Sequence, residues 1–195
     1  SWRIIVPVAA LAVASVPVAW TFMHDYQRER VTTFLEPERD PLGAGYNILQ
    51  SKIALGSGGL FGKGYLQGTQ SRLNFLPEKQ TDFIFTVLGE EFGLAGLIVL
   101  LSLYGAILAS CFSIALQSRS HFGRLVAIGV AANFFLYIAI NTSMSMGLIP
   151  VVGIPLPLVS YGGTALVAVM FGFGLVLSVQ VHRAVEISRS TGAAW

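Results

Sequence analysis

Charge is what this sequence has least of. Only 11% of its 195 residues are Asp, Glu, Lys or Arg, where a soluble domain carries roughly 25%. Ten acidic and twelve basic side chains are too few to cover a water-facing surface of this size. Cysteine is nearly absent as well: Cys111 stands in an apolar stretch, which leaves no disulfide framework and no CxxC metal site. The net charge of +2 comes without a basic run, which excludes a nucleic-acid binder. Internal repeats and low-complexity segments are also missing. Disorder, coiled coil and collagen fail on the same composition. What is abundant is apolar surface, 54% of residues with a mean hydropathy of +0.69. The chain reads as an all-α, polytopic membrane protein.

The few charges organise the chain. Arg3 is followed by an uncharged run to Met23, and fourteen charges then crowd between His24 and Asp82. After Glu90 and Glu91 there is none until Arg119, and none again between Arg124 and Arg183. A helix needs about 20 apolar residues to cross the hydrocarbon core. Spans are therefore expected at 4–23, 83–116, 125–148 and 158–181, the last two separated by Pro150, Pro155 and Pro157. The connections are a loop at 24–82, a short basic loop at 117–124, a turn at 149–157 and a tail at 182–195. Arg3, Arg119, Arg124, Arg183 and Arg189 share one side of such a four-span chain. Both ends are then cytoplasmic, and the long loop and the turn are extracytoplasmic. For the first span a secretory signal is the competing reading, on Ala12-Val13-Ala14, although the apolar run continues through Trp20 and Phe22.

A loop of such length is usually functional or disordered, and this one carries ordering signals. Apolar positions over 46–55 suggest a short interfacial helix. The glycine-rich stretch from Gly56 to Gly64 contains Lys63 but fails the P-loop pattern, with Ser57 and Gly64 at the wrong places. It is better read as turns along the membrane surface, with Lys52 and Lys63 as candidates for an anionic head group. The loop ends in Leu76-Pro77-Glu78-Lys79-Gln80-Thr81-Asp82, where Thr81 or Asp82 is suited to cap the next helix. The alternative, compatible with capping, is that Asp82 acts as a general base, since partial desolvation at the water–lipid boundary raises its basicity; Lys79 beside it suits a phosphate. Glu90 and Glu91 lie deeper in the same span, and one of them is expected to face the bundle interior.

Backbone that is irregular at membrane depth needs protein or a wet cavity around it, so Ser160-Tyr161-Gly162-Gly163 reads as a re-entrant segment lining a cavity. No Ser–His dyad supports a protease. Asn141, in mid-span, suits an interhelical hydrogen bond.

Several of these segments together resemble the SEDS family (shape, elongation, division and sporulation). They are Asn141-x5-Gly147-Leu148-Ile149-Pro150-x2-Gly153, Leu158-Val159-Ser160-Tyr161-Gly162-Gly163-Thr164-Ala165, and Leu76-Pro77-Glu78-x2-Thr81-Asp82-Phe83-Ile84-Phe85 with Gly89-Glu90-Glu91. Asp40-Pro41-Leu42-Gly43-Ala44-Gly45-Tyr46, Gln50-Ser51-Lys52-Ile53-Ala54 and Gly68-Thr69-Gln70-Ser71 look like the RodA branch rather than the FtsW branch. The resemblance implies a ten-helix enzyme of the bacterial cytoplasmic membrane, of which four spans are the C-terminal part. It implies a peptidoglycan glycosyltransferase that polymerises lipid II, a disaccharide-peptide on undecaprenyl diphosphate, during lateral wall elongation. Asp82 takes the place of the family's essential aspartate. Lys52, Glu78, Lys79, Gln80, Thr81 and Ser160 to Gly163 are the expected substrate contacts, and Glu90, Glu91 and Asn141 the structural or cavity-lining ones. A class B penicillin-binding protein and the elongation machinery are the implied partners, and a divalent cation, Mg or Mn, the implied cofactor; no organic cofactor is expected and the sequence shows no metal-ligand cluster. Gln80 departs from the family, which often has His there. A lipid flippase or secondary transporter is the competing class, since broken segments and inward carboxylates suit it too.

Overall fold

A computed structural model of the chain describes residues 6–7, 14–15, 20–36, 43–72 and 80–184. Every regular element among them is an α-helix. The chain divides into two compact units, 1–46 and 47–195. The first span expected from the sequence, 4–23, lies largely outside the described residues, as do Glu78 and Lys79.

In the first unit, helix α1 (Asp25–Leu35) stands within what the sequence suggested was loop. The backbone N–H of His24 donates to Gln27 Oε1 at 3.0 Å. The Arg28 guanidinium donates to the carbonyls of Trp20 and Thr21, both at 3.1 Å, and so fixes the chain entering the helix. Helix α2 (Ala44–Gly58) leads into the second unit. The short α3 (Thr69–Arg72), the long α4 (Ile84–Gln117), α5 (His121–Ser145) and α6 (Gly163–Val181) follow.

Among the described residues three helices, α4, α5 and α6, are long and apolar enough to cross a membrane. The sequence suggests spans at 83–116, 125–148 and 158–181 in these regions, and the helix ends have local causes. Helix α5 begins at His121 because Ser120 caps it, its hydroxyl accepting from the Gly123 N–H. It ends at Ser145 because Gly147 turns the chain with φ 68°. Helix α6 starts only at Gly163, so residues 146–162 form one long irregular segment. Helix α4 takes Phe83 as its N-cap residue, so Asp82 and Thr81, the capping candidates, stand one and two residues before the cap position. The carbonyls of residues 80–82 are engaged in holding that turn, as described below.

The three helices pack around two clusters. Near the 80–83 turn, Phe85, Tyr104, Phe134, Ile138 and Leu156 form a buried core. Tyr104 and Phe134 meet edge to face at 5.6 Å, and Phe134 and Phe173 at 5.1 Å, a geometry that aligns ring edges with ring faces. Toward the other end Cys111, Ala115, Ala127, Ala131 and Val176 let the backbones approach closely, as small residues do between membrane helices.

Helix α4, expected from the sequence as one span over 83–116, is not a single regular helix. It is broken at Gly93, whose φ of 66° and ψ of −164° belong to a region that is essentially glycine-only. The glycine-rich loop after α2 fills that break. Lys63 and Gly64 donate their N–H groups to the carbonyls of Glu90 and Glu91, each at 3.0 Å. The N–H groups of Leu94 and Ala95 donate to the carbonyls of Gly59 and Leu60 at 2.9 and 3.0 Å. Four backbone groups orphaned by the break thus find partners, as irregular backbone at membrane depth requires. The expected run of turns is there, but it is wedged into a helix, and its glycines serve close approach: a Cβ on Gly62 would strike the Glu91 carbonyl, and one on Gly58 the Gly89 carbonyl.

Candidate functional site

Two irregular backbone segments, 80–83 and 146–162, meet at the start of α4, and motif residues tie them together. Asn141, fully buried on α5, donates through Nδ2 to the carbonyls of Asp82 and Ile154 at 2.9 and 2.7 Å. The Ser160 hydroxyl donates to the Thr81 carbonyl and accepts from the Leu156 N–H. The Tyr161 N–H donates to the Gln80 carbonyl at 2.8 Å. Three consecutive carbonyls, of residues 80, 81 and 82, are therefore each held by a different residue of the two glycine- and proline-rich motifs. Tyr104 anchors the far side of the same segment, its hydroxyl donating to the Pro157 carbonyl at 2.7 Å. Next to that anchor Leu158 takes a φ of 65°. A non-glycine residue held there costs about 1–3 kcal/mol and marks a segment over-determined by its surroundings.

The bonds that mount this turn go to its backbone carbonyls and not to the Asp82 carboxyl. Asp82 is half-buried and its carboxyl lies beside Gly153, where a Cβ would sit 3.3 Å from Oδ2. Gly153 has φ 78°, so both the backbone and the neighbouring carboxyl call for glycine. Lys52, exposed on α2, reaches over Gly147 at the other end of the same segment. Gln80 and the Tyr161 ring are exposed. Gly162 is extended and Gly163 opens α6. Among the expected substrate contacts, then, Lys52, Gln80, Tyr161 and the glycines border this segment, whereas the Ser160 hydroxyl and the Thr81 carbonyl are joined in holding it. Asn141 does make the expected buried hydrogen bonds, but to irregular backbone on two segments.

Replacing Asn141 with Leu is expected to leave two inward-facing carbonyls bare, at about 1–3 kcal/mol each. The outcome is a lower melting temperature of the purified protein in detergent, with Asn141→Gln less damaging than Asn141→Leu.

Below Asp82, helix α2 runs alongside the first part of α4. The Ser51 hydroxyl contacts Thr86 Oγ1 and the Ser145 carbonyl, both at 2.6 Å, and Ile48, Ala54 and Gly58 complete its buried face. The inward carboxylate expected in this span is Glu90, with no exposed surface. Its Oε1 accepts from Lys63 Nζ at 2.8 Å and from Thr69 Oγ1 and the Gln70 N–H at 3.0 Å. Lys63, expected at a lipid head group, is thus an ion-pair partner of a buried acid. Glu91 is buried as well. That Lys63 and Glu90 would meet was missed, because 27 residues separate them and nothing in the local pattern of either names the other.

Among the described residues no three of His, Cys, Asp and Glu converge on a point that would hold a metal ion, and the Glu90 carboxylate is already engaged. A divalent cation here would have to take most of its oxygens from substrate and water, as Mg often does. The described residues do not build a cage for it.

The comparisons with known proteins agree with the motifs. Residues 1–185 match the model of the FtsW/RodA/SpoVE family, described as cell cycle proteins. The chain is 55% identical over 184 residues to the Escherichia coli K12 peptidoglycan glycosyltransferase MrdB, covering 94% of this chain and 50% of that protein. It is 45% identical over 158 residues to the peptidoglycan glycosyltransferase RodA of Treponema pallidum, covering 81% of this chain and 36% of that protein. Among solved structures it superposes with a TM-score of 0.71 and 35% identity on a chain from work on the structural coordination of polymerization and crosslinking by a peptidoglycan synthase complex, covering 93% of this chain and 49% of that one. A crystal structure of the Thermus thermophilus rod shape determining protein RodA, as an Asp-to-Ala mutant, superposes with a TM-score of 0.54 and 37% identity, covering 67% and 40%. The chain thus spans at most half the length of these relatives. With a matching family model over nearly its whole length and three apolar helices long enough to span a bilayer, this chain belongs to the FtsW/RodA/SpoVE family of multi-pass membrane proteins.

Proposed function

We propose that the protein containing this chain is a peptidoglycan glycosyltransferase that polymerises lipid II in lateral wall growth. The observation that carries the reading is the mounting of Asp82. Three consecutive backbone carbonyls are fixed by Asn141, Ser160 and Tyr161, while the carboxyl beside Gly153 is not used in those bonds. A fold that spends its signature residues on holding one turn, and leaves that turn's acid partly exposed, is built to present a carboxylate.

Lipid II carries an α-linked sugar diphosphate and the product linkage is β, so the anomeric centre inverts. The acceptor sugar 4-hydroxyl attacks the anomeric carbon from the face opposite the diphosphate. Its proton passes to the Asp82 carboxylate as the new C–O bond forms. The bond to the diphosphate oxygen breaks, and its electron pair leaves with undecaprenyl diphosphate. Cationic groups near that leaving oxygen favour departure; Lys52, over the same irregular segment, and Lys79 in the preceding loop are assigned to this. Gln80 and Tyr161 are assigned to the sugar or its peptide. The reaction takes place on the outer face of the bacterial inner membrane, with both ends of this chain in the cytoplasm. A class B penicillin-binding protein of the elongation machinery is the proposed partner, a reading supported by the synthase complex on which the chain superposes.

One observation favours the transporter class: a span broken at Gly93 with a buried carboxylate beside the break, as discontinuous transporter helices have. Purified intact protein supplied with lipid II in detergent decides between them. Polymer is expected, and it cannot come from flipping, because detergent leaves no second leaflet. No polymer under these conditions, with lipid transport in vesicles, would establish the other class.

A further inference from the structure

The break at Gly93 has a mechanical consequence. At the break the carbonyls of Glu90 and Glu91 and the N–H groups of Leu94 and Ala95 bond to the loop instead of along the helix. The ladder that would carry the direction of 94–117 through to 84–92 is weakened there, and the short segment can tilt unless something else holds it. One end of it is mounted by the carbonyl bonds at residues 80–82. At the other end stand the wedge of the glycine-rich loop and, clamped across it, the Lys63–Glu90 ion pair at 2.8 Å. Gly93 lies about 16 Å along the helix from Asp82 at 1.5 Å per residue. A tilt of about 10° at the break therefore displaces the Asp82 end by about 3 Å on that rise. Misplacement of a reacting group by only ~1 Å can cost about 100-fold in rate.

We propose that the Lys63–Glu90 pair is a clasp that sets the angle of segment 84–92 and so positions the Asp82 carboxyl; Lys63 and Glu90 are positioning residues for the transfer reaction. The proposal rests on the glycosyltransferase reading above. Stability alone gives little reason for the pair, since withdrawing two charges from water offsets most of their attraction, and apolar residues of the same volume often do as well. What an ion pair adds is direction. The Glu90 carboxylate is bound from three sides, by Lys63 Nζ, Thr69 Oγ1 and the Gln70 N–H, and Lys63 Nζ also donates to Thr69 Oγ1 at 2.8 Å. The clasp thereby ties two stretches of the long loop, Lys63 in the glycine-rich loop and Thr69-Gln70 at the start of α3, to a point one turn from the break.

The test uses the intact protein in detergent with lipid II, comparing wild type, Glu90→Gln, Lys63→Met and Lys63→Arg. Both turnover and amide hydrogen exchange over 59–64 and 90–95 are followed. Glu90→Gln and Lys63→Met are expected to lower kcat at least about 10-fold while KM stays within about 2-fold, the signature of a lost transition-state geometry. Exchange rises in the two peptides and not over α5. Lys63→Arg, which keeps the charge, recovers most of the kcat. An active wild type whose Glu90→Gln variant turns over at full rate overturns the clasp and leaves the enzyme reading standing. So does a change in KM alone, or a Lys63→Arg variant as slow as Lys63→Met. A wild type that makes no polymer overturns the enzyme reading itself. If Glu90→Gln yields no folded protein, the Lys63→Met and Lys63→Arg pair is decisive on the same criteria, because Lys63 is 28% exposed and its replacement is better tolerated.

Discussion

Asp82→Asn is expected to lower lipid II polymerisation by about 100- to 10,000-fold, the range that loss of a general base commonly costs, without lowering the yield or the melting temperature of the membrane-extracted protein. The structure is the reason to expect so clean a separation. The bonds from Asn141, Ser160 and Tyr161 all go to main-chain carbonyls of residues 80–82, and these survive a change of side chain. Asn keeps the shape of Asp, so Gly153 meets the same volume; what disappears is the capacity to take up a proton. The measurement is initial rate of glycan formation in detergent, beside a thermal melt of the same preparation. A variant keeping a tenth or more of the wild-type rate would reject Asp82 as the base. Asp82→Ala adds a second expectation, an equally inactive protein.

Much of this site was legible in the sequence, because membrane depth makes polar residues conspicuous. A run without charge marks a span, and an acid at its start or within it asks for a reason; that logic found Asp82, the inward carboxylate and the irregular Ser160–Gly163 stretch. The motif match then tied the pieces to one family. What the residues did not disclose was how backbone groups pair. The Ser160 hydroxyl serves a carbonyl 79 residues away, and hydrogen bonds of that kind leave no periodicity. Thr81 and Asp82 have the composition of a helix cap, yet their carbonyls are drawn to other segments and the helix starts after them. Lys63 looked like a cation for lipid, because its buried partner is remote in the chain. The break itself was hidden for a simpler reason: Gly93 is one of 21 glycines, and glycine is common in membrane helices that run straight.

Gly93→Ala puts that break to the sharpest test, since two physical arguments predict opposite signs. Helix propensity says that Ala for Gly inside a long helix stabilises by up to about 1 kcal/mol. The wedge says the reverse. At φ 66° and ψ −164° an L residue is strained by about 1–3 kcal/mol, and its Cβ would lie 2.7 Å from the Leu60 carbonyl carbon and oxygen and strike the Gly62 nitrogen. To admit Ala the segment must straighten and expel the loop. The four backbone bonds that join residues 59–64 to 90–95 would then be lost, at about 0.5–1.5 kcal/mol each, more than propensity returns. Gly93→Ala is therefore expected to melt several degrees below wild type in detergent and to lose most of its polymerisation. Gly105 supplies the control within the same helix: no neighbouring atom lies within 4 Å of a Cβ built there, so Gly105→Ala should melt at or above the wild-type temperature with its activity kept. A Gly93→Ala protein that is as stable and as active as the Gly105→Ala control would mean that α4 tolerates continuity, and that the loop does not hold the Asp82 segment at its angle.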